Sequence, residues 1–256
     1  MLNEIFDSNN YGKMQVIEYV NSLKVKVRFL DTGYETYSRS ERIRNGGVAD
    51  KIARKENADK WKFKIHKSKG FGDFIIEEYD PKFIKHKIRF LDTGGYSYAN
   101  TGDINRGGVA DPFAVTVAGV GIVGLGYPGA VGSKHMPEYR LWHHMLNRCY
   151  NEKELKKHPT YVKCSVDPRW HYYQQFVKDI KNLLNYEHWI KNPNDWQLDK
   201  DIKIRGNIQY SPEACIFVAK SDNSKDASFR RCGNEKELQA LRDRILNNNT
   251  LEKFFL

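Results

Sequence analysis

Several features that would define a class of protein are missing from this chain of 256 residues. No apolar stretch is long enough to span a bilayer, and the opening segment MLNEIFDSNN contains no signal peptide. The sequence therefore predicts no membrane partner and a cytoplasmic location, which is the host cytoplasm if a phage encodes the chain. The four cysteines are widely spaced and form no C-x-x-C pair, so disulfides are not expected in a reducing compartment.

The glycine-rich segment PFAVTVAGVGIVGLGYPGAVGS, residues 112–133, lacks a nucleotide-binding signature. No Lys-Ser or Lys-Thr pair follows its glycines at the spacing of a phosphate-binding loop, so no nucleotide cofactor is predicted. The apolar run is too short and too rich in glycine for a membrane helix. The pattern favours a pair of buried strands or a connector that packs between domains.

Positive charge and aromatic side chains are abundant. The formal net charge is +10, the sequence pI is near 9.3, and 13% of the residues are aromatic. This combination favours a polyanionic partner, with nucleic acid as the first choice. A basic protein without such a partner is the alternative. The length is sufficient for two or three small domains.

The N-terminal half contains an internal repeat. Residues 24–50 (KVKVRFLDTGYETYSRSERIRNGGVAD) return as residues 85–111 (KHKIRFLDTGGYSYANTGDINRGGVAD), and weaker similarity extends upstream. Agreement over this length indicates a duplicated module of about 50–60 residues. The predicted domains are a first module in residues 1–60, a second module in residues 61–118, a connector in residues 119–135 and a third domain in residues 136–256.

Each module contains a strand with one apolar face and one cationic face. In the first copy Val25, Val27 and Phe29 alternate with Lys26 and Arg28. Duplication favours a binding role, because paired weak modules gain affinity through effective concentration. A solvated strand face that only keeps the sheet soluble is the alternative. The cations predicted to contact DNA are Lys26, Arg28, Arg42, Arg44, Lys87, Arg89 and Arg106.

Between the two copies lies a strongly basic segment, ARKENADKWKFKIHKSKG, in residues 53–70. Trp61 and Phe63 are interleaved with its lysines. A basic stretch punctuated by aromatic residues suits phosphate contact and occasional base stacking. An ordinary exposed strand and loop would have the same composition, so both interpretations stay open.

Amphipathic patterns predict three helices in the C-terminal half, in residues 138–150, 173–184 and 234–246. We expect the first two to support the third domain rather than to perform chemistry. The run Asn247-Asn248-Asn249 is expected to end the third helix, and the FFL terminus, residues 254–256, to pack against the body or a partner.

The stretch LDKDIKIRGNIQYSPEACIFVAKSDNS, residues 198–224, predicts two strands and the start of a helix. Residues 197–204 alternate, residues 205–207 have turn chemistry, and residues 214–218 form a compact apolar run. The run Ser221-Asp222-Asn223 offers N-cap residues. Carboxylates and amides thus lie at both ends of one ββα unit, where a divalent cation and a phosphate could meet.

Together with an upstream LWxxMxxRCYN … YxxCxVxxxW … F segment, these blocks resemble a divergent branch of the HNH, or His-Me finger, endonucleases of phages and mobile elements. The resemblance covers roughly the C-terminal half. It implies an α+β chain with two tandem β-rich modules, followed by a ββα domain buttressed by helices. It also implies hydrolysis of phosphodiester bonds in double-stranded DNA with one Mg²⁺ or Mn²⁺ ion, as in homing.

By the same resemblance, Asp199 matches the strand aspartate, and Asn223 or Asp222 matches the metal ligand on the helix. Lys200 falls where the family has its general-base histidine. An unperturbed lysine has a pKa near ~10.4, whereas a general base works best with a pKa near the working pH. Lys200, with Arg205, would therefore serve better as a phosphate contact.

No histidine follows His188, so the ββα unit cannot itself supply an imidazole. His188 or a carboxylate such as Asp201 would have to replace the base, and the predicted catalytic set is Asp199, Lys200 and Asp201. A catalytically inactive DNA-binding regulator that keeps the finger as a scaffold is the alternative. A phage factor that binds a host protein is a third.

Some relatives of the finger fold hold a structural zinc ion with scattered Cys and His residues. By that resemblance, Cys149, Cys164 and Cys215 could form such a site with His144 or His171. Buried free cysteines are the alternative.

Overall fold

The computed structural model describes the backbone of residues 1–252 and the side chains of residues 1–247. The chain forms two compact units, Met1–Asp111 and Pro112–Leu256. Helices and small, mostly antiparallel sheets occur together, which confirms the α+β class. The prediction for the FFL terminus lies outside the described residues.

Unit 1 contains two four-stranded antiparallel sheets with the same strand order, so the repeated sequence corresponds to a repeated structure. In each sheet the four strands pair in chain order, and a short helix follows the last strand. The first module comprises β1 (Ile5–Ser8), β2 (Gly12–Asn21), β3 (Lys24–Phe29), β4 (Glu35–Ser38) and α1 (Ser40–Arg44). Helix α2 (Lys51–Asp59) follows, and the second module comprises β5 (Ile65–Ser68), β6 (Gly72–Asp80), β7 (Lys85–Phe90), β8 (Tyr96–Ala99) and α3 (Thr101–Arg106).

The strand alternation predicted for the modules is confirmed. Val25, Val27 and Phe29 of β3 are fully buried, as are Ile88 and Phe90 of β7. Each sheet therefore covers its own small apolar core, and the cationic side chains lie on the opposite face. Burial of these side chains is the main stabilising term for each module.

Residues shared by the two copies hold each module closed. The Thr32 hydroxyl donates a hydrogen bond to the buried Asp50 carboxylate, and the Thr93 hydroxyl donates to Asp111 over 2.5 Å. The Asp50 side chain also accepts from two backbone N–H groups at the start of α2. In each copy, the threonine of the Asp-Thr-Gly motif and the last aspartate of the Gly-Gly-Val-Ala-Asp motif thus bind one another, which accounts for the repetition of these two residues.

Unit 2 places short strands around a helical core. The first part comprises β9 (Val115–Val117), β10 (Gly121–Ile122), β11 (Ala130–Val131), β12 (Lys134–His135), α4 (Pro137–Tyr150), α5 (Glu152–Lys157) and β13 (Ser165–Val166). The second part comprises α6 (Tyr173–Ile180), α7 (Tyr186–Lys191), β14 (Trp196–Asp199), β15 (Gln209–Tyr210), β16 (Ile216–Ala219), α8 (Lys220–Cys232) and α9 (Glu235–Glu252). The glycine-rich segment forms two small hairpins, and the three predicted helices correspond to α4, α6 and α9.

The stretch predicted as strand, turn, strand and helix forms an antiparallel pair, β14 and β16, followed by α8. Three boundaries differ from the prediction. Strand β14 ends at Asp199 rather than at residue 204, because the Asp199 side chain accepts two backbone N–H groups and turns the chain. Helix α8 begins at Lys220 without a side-chain cap, so residues 221–223 form its first turn. Helix α9 continues through residues 247–249 to Glu252.

The core of unit 2 is aromatic and surrounds α4 and α6. Trp142, Trp170, Tyr173 and Phe176 are fully buried there. Glu138 at the start of α4 is buried as well, and it accepts hydrogen bonds from the hydroxyls of Tyr127 and Tyr186. Within residues 1–252, no helix combines the length and the apolar character that a membrane crossing requires.

Candidate functional site

Asp199 lies at the end of β14, where the chain turns sharply. One of its carboxylate oxygens accepts the N–H groups of Asp201 and Ile202, each over 2.8 Å. Burial, and then the neighbouring Asp201 carboxylate, raise the pKa of Asp199 to about 6. A carboxyl with such a perturbed pKa is a candidate functional group.

Asp201 belongs to an ionic network that joins this turn to α8 and α9. Arg230 contacts Asp201 over 2.9 Å and Asp226 over 2.7 Å. Asp226 is fully buried and also binds Arg242 over 2.8 Å. Since its charge is already compensated by Arg230, Asp201 has little freedom to act as a base.

Lys200 is largely buried and packs among aromatic rings. Its ammonium nitrogen lies 5.6 Å from the ring centre of Tyr210, 6.0 Å from that of Tyr161 and 3.9 Å from an Asp201 oxygen. The Arg148 guanidinium donates to the Tyr161 hydroxyl on the same side of the unit. These contacts hold Lys200 in place as a cation.

The predicted metal ligands on α8 have different surroundings. Asp222 is held by Arg244 over 2.7 Å, whereas the Asn223 side-chain oxygen is buried and accepts no hydrogen bond. Among the described side chains, no hydrogen bond joins Asp199 to Asp222 or Asn223, and the α8 side chain that reaches the turn after β14 is Arg230.

The divalent-ion site predicted at Asp199, Asp222 and Asn223 stays a prediction. Among the described side chains of this set, the Asn223 oxygen is unpartnered and has the character of a vacant ligand. Within the side chains of residues 1–247, no three His, Cys, Asp or Glu residues form a group that could hold a metal ion. This finding applies equally to the proposed zinc ligands.

Cys149, Cys164 and Cys215 are buried free thiols, and Cys232 is exposed. Burial raises the pKa of Cys149 to about 11 and that of Cys215 to about 12. A thiolate is the metal-binding form of cysteine, so a bound ion would have to deprotonate these thiols, and the zinc site stays a prediction. His171 donates or accepts a hydrogen bond with the Tyr150 hydroxyl over 3.2 Å.

The other histidines considered from the sequence lie outside the turn at Asp199. His188 stacks on Trp196, with ring centres 5.0 Å apart. His143 and His144 line a cavity of about 540 Å³ between α4 and α5, together with Arg148 and His158. His188 as a substitute for the base stays a prediction.

Most cations predicted to contact DNA in the first module are engaged within the protein. Glu35 binds Lys26 over 2.7 Å and Arg28 over 2.5 Å. Arg42 donates to the Gly47 carbonyl, and Arg44 contacts the sulfur of Met1. The cationic strand face is therefore largely neutralised by its own neighbour.

The second module and the ββα unit repeat this pattern with different partners. Glu77 binds Arg89 over 2.5 Å and Lys87 over 3.4 Å. Arg106 pairs with Asp103 on α3, and Arg205 pairs with Glu235 on α9. Exposed pairs of this kind contribute little to stability, but they reduce the net field available to a polyanion.

Unpaired positive charge is concentrated on the segment between the modules. Residues 51–70 contain eight Lys or Arg residues and two acidic residues. In the structure this segment forms α2, a turn and the edge strand β5. Lys64, Lys67 and Lys69 are exposed and make no ion pair with the side chains of residues 1–247, and Phe63 beside them is 72% exposed. From composition alone, nucleic-acid contact and an ordinary exposed strand and loop were equally open interpretations of this segment.

Comparisons with models of protein families, with curated proteins and with solved structures each returned no match. The family assignment thus stays a prediction from resemblance, and the chain is a mixed α+β protein with a duplicated N-terminal module.

Proposed function

We propose that this chain binds double-stranded DNA through its phosphates, and that the ββα unit serves as a structural scaffold rather than as a nuclease centre. The observation that carries the proposal is the exposed basic segment in residues 51–70. Phosphate contacts by lysine and arginine supply most of the affinity in sequence-independent binding.

The scaffold role is supported by the ion pairs around the turn after β14. Arg230, Arg242 and Arg244 neutralise the carboxylates of Asp201, Asp226 and Asp222. A general base needs a free lone pair and a divalent ion needs uncompensated oxygen ligands. Such ion pairs fix β14 and β16 against α8 and α9, which is consistent with a structural role for the ββα unit.

The test is the salt dependence of affinity for a duplex of arbitrary sequence. Replacing Lys64, Lys67 and Lys69 together by glutamine should reduce the slope of log K against log salt by up to about 2.7, because each phosphate contact contributes about 0.9. The matched control replaces by glutamine three exposed lysines of unit 2 that make no ion pair with a described side chain, Lys178, Lys191 and Lys236. Equal losses in both variants would attribute binding to net charge and would contradict a role for the segment.

An endonuclease is the second candidate, and two observations favour it. The Asn223 oxygen is buried without a partner, and the pKa of Asp199 is raised to about 6. Both features are typical of functional groups awaiting a ligand or a proton. In this candidate Asp199 and Asn223 would bind Mg²⁺ or Mn²⁺, and Lys200 would contact phosphate.

Plasmid nicking separates the two candidates. The protein is incubated with supercoiled plasmid in Mg²⁺ or Mn²⁺, with an EDTA control, beside the Asp199→Ala and Asn223→Ala variants. Metal-dependent nicking that both variants lose would establish the nuclease. Salt-sensitive retardation of DNA without nicking is the result that the scaffold proposal expects.

A further inference from the structure

A cleft of about 490 Å³ lies between the two modules of unit 1, under α2. Its volume falls within the range of about 300–1,000 Å³ that is usual for small-molecule sites. Among the described residues that line it, none is acidic. The side chains that define the cleft are Tyr11, Arg54, Asn57, Trp61, Tyr79 and His86.

The wall formed by the second module is aromatic. The ring of His86 lies 5.0 Å from that of Tyr79, and its plane is inclined by only 11° to that of Trp61, with centres 6.0 Å apart. Tyr79 and His86 are buried behind Trp61, which is half-buried and so is the ring of this wall that can stack on a planar ligand.

One buried polar atom in this wall lacks a partner. His86 is 2% exposed, and one of its ring nitrogens contacts the Thr101 hydroxyl. The other nitrogen, Nδ1, makes no hydrogen bond among the described residues, whereas the Tyr79 hydroxyl lies beside the Arg54 guanidinium. Buried polar atoms are nearly always paired, so His86 Nδ1 is a candidate for contact with a ligand.

The opposite wall supplies one cation. Arg54 on α2 donates to the Tyr11 hydroxyl over 3.0 Å, and its guanidinium lies 5.7 Å from the Tyr11 ring centre. It forms no salt bridge among the described side chains, and the Asn57 amide lies on the same helix. A guanidinium that lacks a carboxylate partner suits a phosphate.

The repeat offers an internal comparison for this wall. His86 occupies the position that Val25 has in the first copy, where the valine is fully buried. Tyr79 corresponds to Tyr19, which is 47% exposed. The fold therefore accepts an apolar residue at the His86 position, and packing alone does not require the imidazole.

The hairpin beside this wall also differs between the copies. The turn between β6 and β7 has four residues, 81–84, whereas the turn between β2 and β3 has two, 22–23. Ile84 in the longer turn lines the cleft and has a φ of 55°, which is rare for a β-branched residue. The second copy thus departs from the first around the cleft.

We propose that this cleft binds a single nucleotide, with the base against the half-buried Trp61 ring and the edge of His86, and the phosphate at Arg54. Burial lowers the pKa of His86 and favours the neutral imidazole, whose free Nδ1 can make one hydrogen bond with the edge of a base. The nucleotide is either free or an unpaired nucleotide of a strand. The inference does not rest on the proposed binding of duplex DNA.

The test is calorimetric titration of the full chain with adenosine, cytidine, guanosine and uridine monophosphates, with inorganic phosphate and with a short single-stranded oligonucleotide. We expect a Kd on the order of 1 mM or tighter for at least one monophosphate or for the oligonucleotide. His86→Val, which copies Val25, should retain the melting temperature and weaken binding by about tenfold. Arg54→Gln should weaken nucleotide binding by a similar factor. If His86→Val does not fold, Arg54→Gln alone tests whether the nucleotide binds in the cleft.

If these variants lose binding of a monophosphate, the natural ligand is a free nucleotide. If the chain binds only the oligonucleotide and the variants lose that binding, the ligand is an unpaired nucleotide of a strand. Three results would overturn the proposal: no binding by either ligand, unchanged binding in both variants, or inorganic phosphate binding as tightly as the nucleotides. The variant with Lys64, Lys67 and Lys69 replaced should still bind the monophosphate, so failure here is distinguishable from failure of duplex binding.

Discussion

Replacing Asp226 by alanine should destabilise unit 2 severely. Asp226 is fully buried, and its two carboxylate oxygens bind Arg242 on α9 and Arg230 on α8 over 2.8 and 2.7 Å. Arg242 is only 4% exposed. Alanine at position 226 would leave the Arg242 guanidinium buried without a counter-charge.

The expected loss is about 3–5 kcal/mol, the usual result of removing one partner of a buried ion pair. A whole domain is stable by only about 5–15 kcal/mol, so this loss is a large fraction of the total. Replacing both Asp226 and Arg242 by leucine should cost much less, because no unpaired charge then remains. The exposed pair of Arg205 and Glu235 provides the contrast, since alanine at either position should cost about 1 kcal/mol or less.

Urea unfolding followed by tryptophan fluorescence measures these differences. Four of the five tryptophans lie in unit 2, so the signal reports mainly on that unit. The midpoint of the Asp226→Ala variant should fall by roughly 2 M urea relative to wild type. A loss below about 1 kcal/mol, or a double leucine variant as unstable as Asp226→Ala, would refute the buried pair as the link between α8 and α9.

Three further predictions follow from the structure. The pKa of Asp199 is raised from 3.8 in the unfolded chain to about 6 in the folded chain. Between these pH values the folded chain holds a proton that the unfolded chain releases. The free energy of unfolding therefore falls as the pH rises, until the folded chain loses this proton at about pH 6. Asp199→Asn should therefore be more stable than wild type at about pH 8, by about 1–3 kcal/mol in urea unfolding, and equal to it at about pH 4. Gly46→Ala should destabilise the first module by more than Gly33→Ala, since both have positive φ but only at Gly46 would the added methyl collide with backbone, at 2.9 Å from the Asp7 carbonyl oxygen; equal melting temperatures would contradict this. Of the four cysteines, Cys232 alone should react rapidly with a thiol reagent in the native state, and all four should react in denaturant.

Local sequence patterns predicted the secondary structure of this chain well. Alternation in β3 and helical periodicity in α4 placed their buried faces correctly, because both depend on side chains a few residues apart. The boundaries near Asp199 and Lys220 were less accurate. Strand β14 ends early because the Asp199 side chain turns the backbone. Helix α8 begins at Lys220 without a side-chain cap, so the expected N-cap residues lie inside the helix.

The candidate sites were harder to predict, since they depend on partners distant in the sequence. From the sequence, the cationic face of β3 is a predicted DNA-binding surface. In the structure Glu35 forms ion pairs with Lys26 and Arg28 on this face. Asp226, Arg230 and Glu138 were not recognised, because a buried charge in an amphipathic helix has no local signature.

The duplication of the N-terminal module, the basic net charge and the order of strands and helices are all readable from the sequence. These properties follow from the identity of the repeated residues, from composition and from short-range periodicity. The packed fold was needed to show which cations lack a carboxylate partner among the described side chains, and that His86, Tyr79 and Arg54 line one cleft. Charge pairing and cavity formation depend on the packing of segments far apart in the chain, and the burial that this packing creates sets their electrostatics.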